Sequence, residues 1–373
     1  MKTKWSLYYQ LLKLCVPVFC FQSQEMTLSD WLMQELSVAS PVMAYVYGED
    51  EEKDDLTLLA VMENAGQETG QGADANGQDG ANGQTASSDS AAKNVMPTAD
   101  AALENKRAQQ GNLWTKRATV NRDKLLDYDY LIKNFYRIDR TTTINSSELN
   151  PSELLAKDLT INRNVDGPVV LIYHTHSQES FVDSDGSDAM SVMGLGDRLG
   201  SLLQNVYGIP VLHHLGKYDV DGRDYAYANA EPQITQLLAD NPSIQVVIDL
   251  HRDGVGEDVR LVTDIDGKPT AKVMFFNGLS RTTATGPIDY LQNPNLQDNL
   301  ATSLQMQIAA AELYPGFTRP VFLKGYRYNM HLCPRAMLIE VGAQTNTFEE
   351  VYNAMDPLAN IIAYVLLGGQ TGQ

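Results

Sequence analysis

Cysteine is nearly absent from this chain. Three occur in 373 residues, Cys15, Cys20 and Cys333, and two of them fall in the N-terminal stretch. The rest of the chain holds one thiol, so it forms no internal disulfide, and Cys333 has no partner for a thiol mechanism. Basic charge is also short. Lys and Arg number 28 against 47 Asp and Glu, a net charge of -19. Phosphate binding needs basic patches, so nucleic acid is excluded as the expected partner. Long apolar runs are missing too. Even the opening MKTKWSLYYQLLKLCVPVFCFQ is broken by Gln10, Lys13 and Pro17, whereas a membrane span needs roughly 20 predominantly apolar residues. There is no internal repeat, no nucleophile elbow around Ser177 or Ser180, and no three-glycine phosphate loop at Gly194 and Gly196.

What is present falls into four parts. Lys2 and Lys4 precede the broken apolar stretch, so residues 1–24 have the layout of a signal peptide or signal anchor that brings the chain to a membrane. Residues 25–112 read as a juxtamembrane segment and a low-complexity tether. From Gly66 to Ala92 the tether is Gly, Ala, Gln, Asn, Asp and Ser, with too little apolar surface to offset chain entropy. Residues 113–164 read as an extension in which Tyr128, Tyr130, Leu131, Phe135 and Tyr136 form a strand or helix that packs on the domain. A short helix is expected between Ile144 and Leu159, capped by Ser152.

Residues 165–370 carry the domain that would do chemistry, and its elements alternate. Apolar strand-like runs at 168–174, 211–214, 244–250, 321–323 and 336–341 are separated by helical periodicity near 192–206, 225–239, 296–313 and 348–367. Asp266-Gly267 marks a hairpin turn between 259–263 and 271–277. Such alternation predicts an α/β domain with a mostly parallel twisted sheet flanked by helices on both faces.

Chemistry-bearing residues gather at the ends of three of those runs. Val169 to Tyr173 has no polar interruption, as a strand buried on both faces requires, and delivers His174-Thr175-His176-Ser177-Gln178-Glu179. Open α/β sheets place their sites at such strand ends. Ile244 to Leu250 delivers His251-Arg252-Asp253, and Ala336 to Ile339 delivers Glu340. His176, Glu179 and His251 form a His-Glu-His set that suits zinc with one position left for water. Strand alternation puts His174 on the face of His176, so His174 is either an alternative ligand or a supporting group. Asp249 shares a face with His251 and would orient it. Glu340 would act as general base, taking a proton from water and passing it to a leaving amine; the bland alternative is an ion pair with Arg327 or Arg335. Arg252 would hold a substrate carboxylate or an oxyanion. His213 and His214 read as structural, and His331 as a residue bordering the cleft.

At these residues the chain resembles the stage II sporulation protein P family. The resemblance rests on YHTHSQESF at 173–181, IDLHRD at 248–253 and RAMLIEVGAQTN at 335–346, and covers about Val165 to Leu367. It implies a fold similar to the zinc amidases, with zinc on His176, Glu179 and His251 and Glu340 catalytic. It also implies a membrane-anchored, extracytoplasmic peptidoglycan hydrolase on the mother-cell side of the septum. That enzyme would cleave the N-acetylmuramoyl-L-alanine bond, and peptide cross-links as well, beside the stage II sporulation proteins D and M during engulfment. The zinc pattern alone also permits a carboxypeptidase-like peptidase or a deacylase. A non-catalytic wall-binding module is the remaining alternative.

Overall fold

The structure is a computed structural model that describes residues 114–220 and 222–369. The expected leader (1–24) and tether (25–112) lie outside the described residues.

The chain enters through a short helical turn, α1 (Arg122–Leu125), and a helix, α2 (Tyr128–Phe135), that runs directly into strand β1 (Tyr136–Ile138). Asp127 caps α2 by accepting from the amides of Asp129 and Tyr130. Helix α3 (Pro151–Ala156) follows. Its cap is Asn150, which accepts from Ser152 N at 3.1 Å, so the expected Ser152 cap is corrected. Pro151 then sits in the first turn, where its missing N–H costs nothing.

Next come β2 (Val170–Tyr173), α4 (Val192–Asn205), β3 (Val211–His213), α5 (Ala226–Asp240) and β4 (Val246–Asp253). The hairpin β5 (Val262–Ile265) and β6 (Lys268–Ala271) turns at Asp266 and Gly267, both at positive φ. It is therefore tighter than the hairpin expected at 259–277. β7 (Val273–Gly278) leaves it for the main sheet, and a small pair, β8 (Arg281–Thr282) with β9 (Gly286–Pro287), follows. Then come α6 (Leu296–Leu313), β10 (Val321–Lys324), β11 (Ala336–Ala343) and α7 (Phe348–Leu366), which opens on a Thr347–Glu350 capping box.

The main sheet has seven strands in the order β1-β10-β7-β11-β4-β2-β3. Pairing is parallel except at β11/β7, which is antiparallel. The fold is thus the expected α/β domain with a mostly parallel sheet, built as two parallel blocks joined at one seam. β1 completes the far edge, so the extension at 113–164 supplies part of the sheet itself.

Strand alternation sorts the core into two faces. Val170, Ile172, Val246, Ile248, Leu250, Met337 and Ile339 meet α4, α6 and α7 on one face. Leu171, Tyr173, Val247, Leu338 and Phe276 meet α5, Tyr218, Tyr227 and Tyr328 on the other. Fully burying each such side chain contributes about 1.5–3 kcal/mol against its exposed state. Parallel strands β2, β4 and β11 point their C-terminal ends the same way, which brings the three sequence-distant motifs to one edge of the sheet. Among the described residues no helix is long and apolar enough to cross a membrane.

Candidate metal and hydrolytic site

The site lies on the α5 face, where β4 and β11 pair in register with Glu340 opposite His251. Alternation within β4 turns Asp249 and His251 to the same face, towards Tyr227 of α5. The rings of His176 and His251 stand 5.3 Å apart and nearly perpendicular. Tyr227 lies 5.5 Å from the His176 ring edge-on and stacks parallel to His251 at 6.4 Å. The turn after β2 brings Glu179 to the same point, with Oε2 3.5 Å from His251 Nδ1. The three expected ligands are therefore neighbours, as is Glu340.

Hydrogen-bond accounting separates the groups that are committed from those that are not. His251 Nε2 lies 2.7 Å from Asp249 Oδ1, a close charge contact rather than a formed hydrogen bond, and its Nδ1 lies towards Glu179. Asp249 also accepts from Thr175 N at 2.8 Å and Thr175 Oγ1 at 2.6 Å, which ties β4 to the turn after β2. Burial works against a charge on His251, but Asp249 and Glu179 prevail and hold its pKa well above the usual imidazole value. His176 is different. Both of its ring nitrogens are buried without a hydrogen-bond partner. Burial and the neighbouring His251 charge push its pKa down to about 3, so it is a neutral imidazole with free lone-pair chemistry. Glu179 is held well below the usual carboxylate range: burial opposes its charge, but its contact with the His251 ring and the charges of His251 and Arg252 outweigh it.

Glu340 is the second unspent group. Its Oε2 is buried and unpartnered. Arg327 is committed to Glu231, and Arg335 to the carbonyl of Asp158, so neither forms the ion pair that would make Glu340 merely structural. Burial first, then the charge of Asp253, raises its carboxyl to about 8.

Several expectations change. His174 does not share a face with His176, because β2 ends at Tyr173 and alternation stops there. His174 Nδ1 donates to Leu250 O at 2.7 Å, and its Nε2 meets His213 Nε2 at 2.8 Å beneath α4. Its ring is thus fully used away from the cluster, and His213, anchored on Asp197 at 2.8 Å, belongs to the same chain of bonds. Arg252 is spent on the carbonyls of Ser180 and Asp253, which leaves its backbone N–H, 2.9 Å from Glu179 Oε2, as its contribution to the site. His331 pairs with Glu231 at 3.1 Å. Sequence reading missed Tyr227, Asp219 and Arg223. Asp219 accepts from Ser177 Oγ at 2.6 Å and Gln178 N at 3.1 Å and so fixes the turn between His176 and Glu179. Arg223 reaches Glu179 Oε1 at 2.8 Å. None of the three lies in a motif; only the fold brings them near.

Two imidazoles and a carboxylate are donors that zinc accepts, and the unprotonated one of the two orphaned His176 ring nitrogens is what such an ion would satisfy. The residues fit a cation in kind. Among the described residues, however, no group of three His, Cys, Asp or Glu side chains is already drawn up around one point at ligating distance. Glu179 is instead turned to Arg223.

Residues 44–363 match the family model for stage II sporulation protein P. A curated relative, stage II sporulation protein P of Bacillus subtilis (strain 168), is 29% identical over 220 residues, 53% of this chain and 51% of the relative. The chain therefore spans about half the length of the curated relative it matches. Solved structures similar to it include the N-acetylmuramoyl-L-alanine amidase from Clostridium difficile 630, at 15% identity over 56% of this chain and 100% of that one, with a TM-score of 0.34. Another is the CwlD amidase from Clostridioides difficile in complex with the GerS lipoprotein, at 14% identity over 54% and 97%, with a TM-score of 0.35. Superpositions this loose carry no weight for the activity of this chain.

Proposed function

This chain belongs to the stage II sporulation protein P family, and from that premise we propose that it is a sporulation peptidoglycan hydrolase that cleaves the amide between N-acetylmuramic acid and L-alanine. The observation that carries the reading is the pair of unspent groups at one strand edge: the His176 ring without partners and the Glu340 carboxyl without an ion pair.

His176, Glu179 and, once its Nδ1 proton is released, His251 are the residues that would hold zinc, which when bound would supply Lewis acidity towards the amide carbonyl and make water easier to deprotonate. The protein's own groups do the rest. Asp249 keeps the His251 ring turned so that Nδ1 faces Glu179. The Arg252 N–H keeps Glu179 Oε2 in position. Tyr227 walls the cluster from the α5 side. Glu340, one strand over from His251, takes the proton of the attacking water as its oxygen bonds to the carbonyl carbon. It then hands that proton to the amine nitrogen as the C–N bond breaks. A carboxyl whose proton affinity is raised by burial is suited to holding the proton between the two halves of that transfer.

The test is digestion of purified peptidoglycan by the purified full chain, with product mass spectra. Free lactyl ends with released stem peptides, lost on chelation and restored by zinc, are the expected result. Release of single C-terminal amino acids would favour a carboxypeptidase, and wall binding without cleavage a binding module. By family alone, the reading extends to work at the membrane beside stage II sporulation proteins D and M, which co-purification from sporulating cells would test.

A further inference from the structure

Arg223 stands where sequence motifs give no reason for an arginine. It opens a short turn, Arg223–Tyr225, that leads into α5. The residue before it, Gly222, has φ 145, a conformation L side chains rarely adopt. That glycine lets the chain turn sharply from the Asp219 clamp so that Arg223 reaches back to the turn after β2. Its guanidinium meets Glu179 Oε1 at 2.8 Å across a steep boundary: the Arg223 side chain is 41% exposed and that of Glu179 only 1%.

The charge count around Glu179 explains why the contact exists. An ionised carboxylate this deeply buried needs compensation. Oε2 has the Arg252 N–H at 2.9 Å and His251 Nδ1 at 3.5 Å; Oε1 has Arg223. The His176 ring, beside them, has nothing. A divalent ion arriving between His176, His251 and Glu179 would add positive charge next to a guanidinium and compete for the same carboxylate. Arg223 is the partner placed to exchange, because its side chain already reaches solvent, where its charge can be hydrated. The Arg252 N–H cannot leave, being part of the β4 backbone.

We propose that Arg223 is the exchangeable counter-ion of Glu179, holding that carboxylate in place while the metal position is empty and giving it up as the ion enters. This rests on the metal-site reading above and adds to it a residue that lowers metal affinity while it protects the empty site. Loading is then coupled to movement of the Arg223 side chain away from Glu179 towards solvent.

The experiment measures zinc affinity by competition with a chromogenic chelator, and thermal unfolding of the chelated protein, for the full chain, R223Q and R223K. R223Q should bind zinc more tightly, on the order of tenfold, because one competing charge is gone. Without metal it should melt below the wild type, because Glu179 is left uncompensated. R223K, which keeps the charge but loses the fork, should lie between them in both. An arginine that merely braced the fold would weaken both properties together. R223Q that is folded by circular dichroism and binds zinc no tighter than the wild type overturns the proposal, as does R223K indistinguishable from R223Q should the latter not fold. Zinc uptake by R223Q alone supports it in its strongest form. Uptake by none of the three proteins overturns the metal-site reading, and the counter-ion with it.

Discussion

Replacing Glu340 by Gln should make the metal-free protein more stable at alkaline pH while disabling it. In the folded chain the carboxyl is pushed up to about 8 from 4.5. Between those values the folded state holds a proton that the unfolded state has released. Stability must therefore fall as pH rises through that window and level off above it. At roughly 1.4 kcal/mol per tenfold in proton affinity, the full effect is about 5 kcal/mol. The side chain is only partly shielded, although Oε2 itself is buried. Water reaching the rest of the group should cut this to about 2 kcal/mol. Gln has the same shape and no charge, so the variant should match the wild type near pH 4 and exceed it by that amount near pH 9. For a domain of this size that is a rise in Tm of about 4–8 °C. The assay is calorimetry of chelated protein across pH, paired with turnover, which should drop about 10²–10⁴-fold if Glu340 moves the proton. A Tm difference that does not change with pH, or a variant less stable at pH 9, would refute the claim that Glu340 is an unpaired, strained acid.

Three other perturbations test the remaining structure. His174→Ala and His176→Ala should diverge: the first removes bonds to Leu250 O and His213 and should cost about 2–4 kcal/mol in chelated protein, whereas the second removes a ring with no bonds, should change stability by less than about 1 kcal/mol, and should abolish zinc uptake by competition titration. Gly196→Ala places a methyl 2.5 Å from His213 Nε2 and 2.6 Å from His174 Nε2, so a loss of about 1–3 kcal/mol is expected in denaturant unfolding. Glu312, buried in α6, pairs with Lys116 and Arg122 and accepts from Val120 N; Glu312→Ala should loosen residues 114–125 and speed their cleavage by trypsin ahead of global unfolding.

The sheet was legible because its strands are short apolar runs ended by polar residues, and the helices because their apolar spacing is regular. α6 spans Leu296–Leu313, the segment its periodicity predicts. The antiparallel seam was not legible. β7 is as apolar as its neighbours, and direction within a sheet is set by the loops that carry a strand back, here the hairpin β5–β6. β1 was missed as a sheet strand for a related reason: three residues are too few to show a period, and its partner β10 is nearly two hundred residues away in sequence.

The same distinction between local pattern and long-range contact decides what can be known of the site. Of two histidines two residues apart, the sequence favours His176 only through its spacing from Glu179 and leaves His174 as an alternative. The carbonyl of Leu250 requires His174 Nδ1 to carry its proton, so His174 Nε2 accepts, and His213 Nε2 must donate to it; the ring is satisfied on both sides. One turn later, His176 has left the plane of the strand, and neither nitrogen meets anything. A buried polar group without a partner is costly, and its presence beside His251 and Glu179 is what supports the proposed ligand role. The proposed ligand role of His176 thus draws less on the motif than on which imidazole the fold leaves unsatisfied. That follows from where β2 stops, at Tyr173, a boundary set by its parallel pairing with β3 and β4.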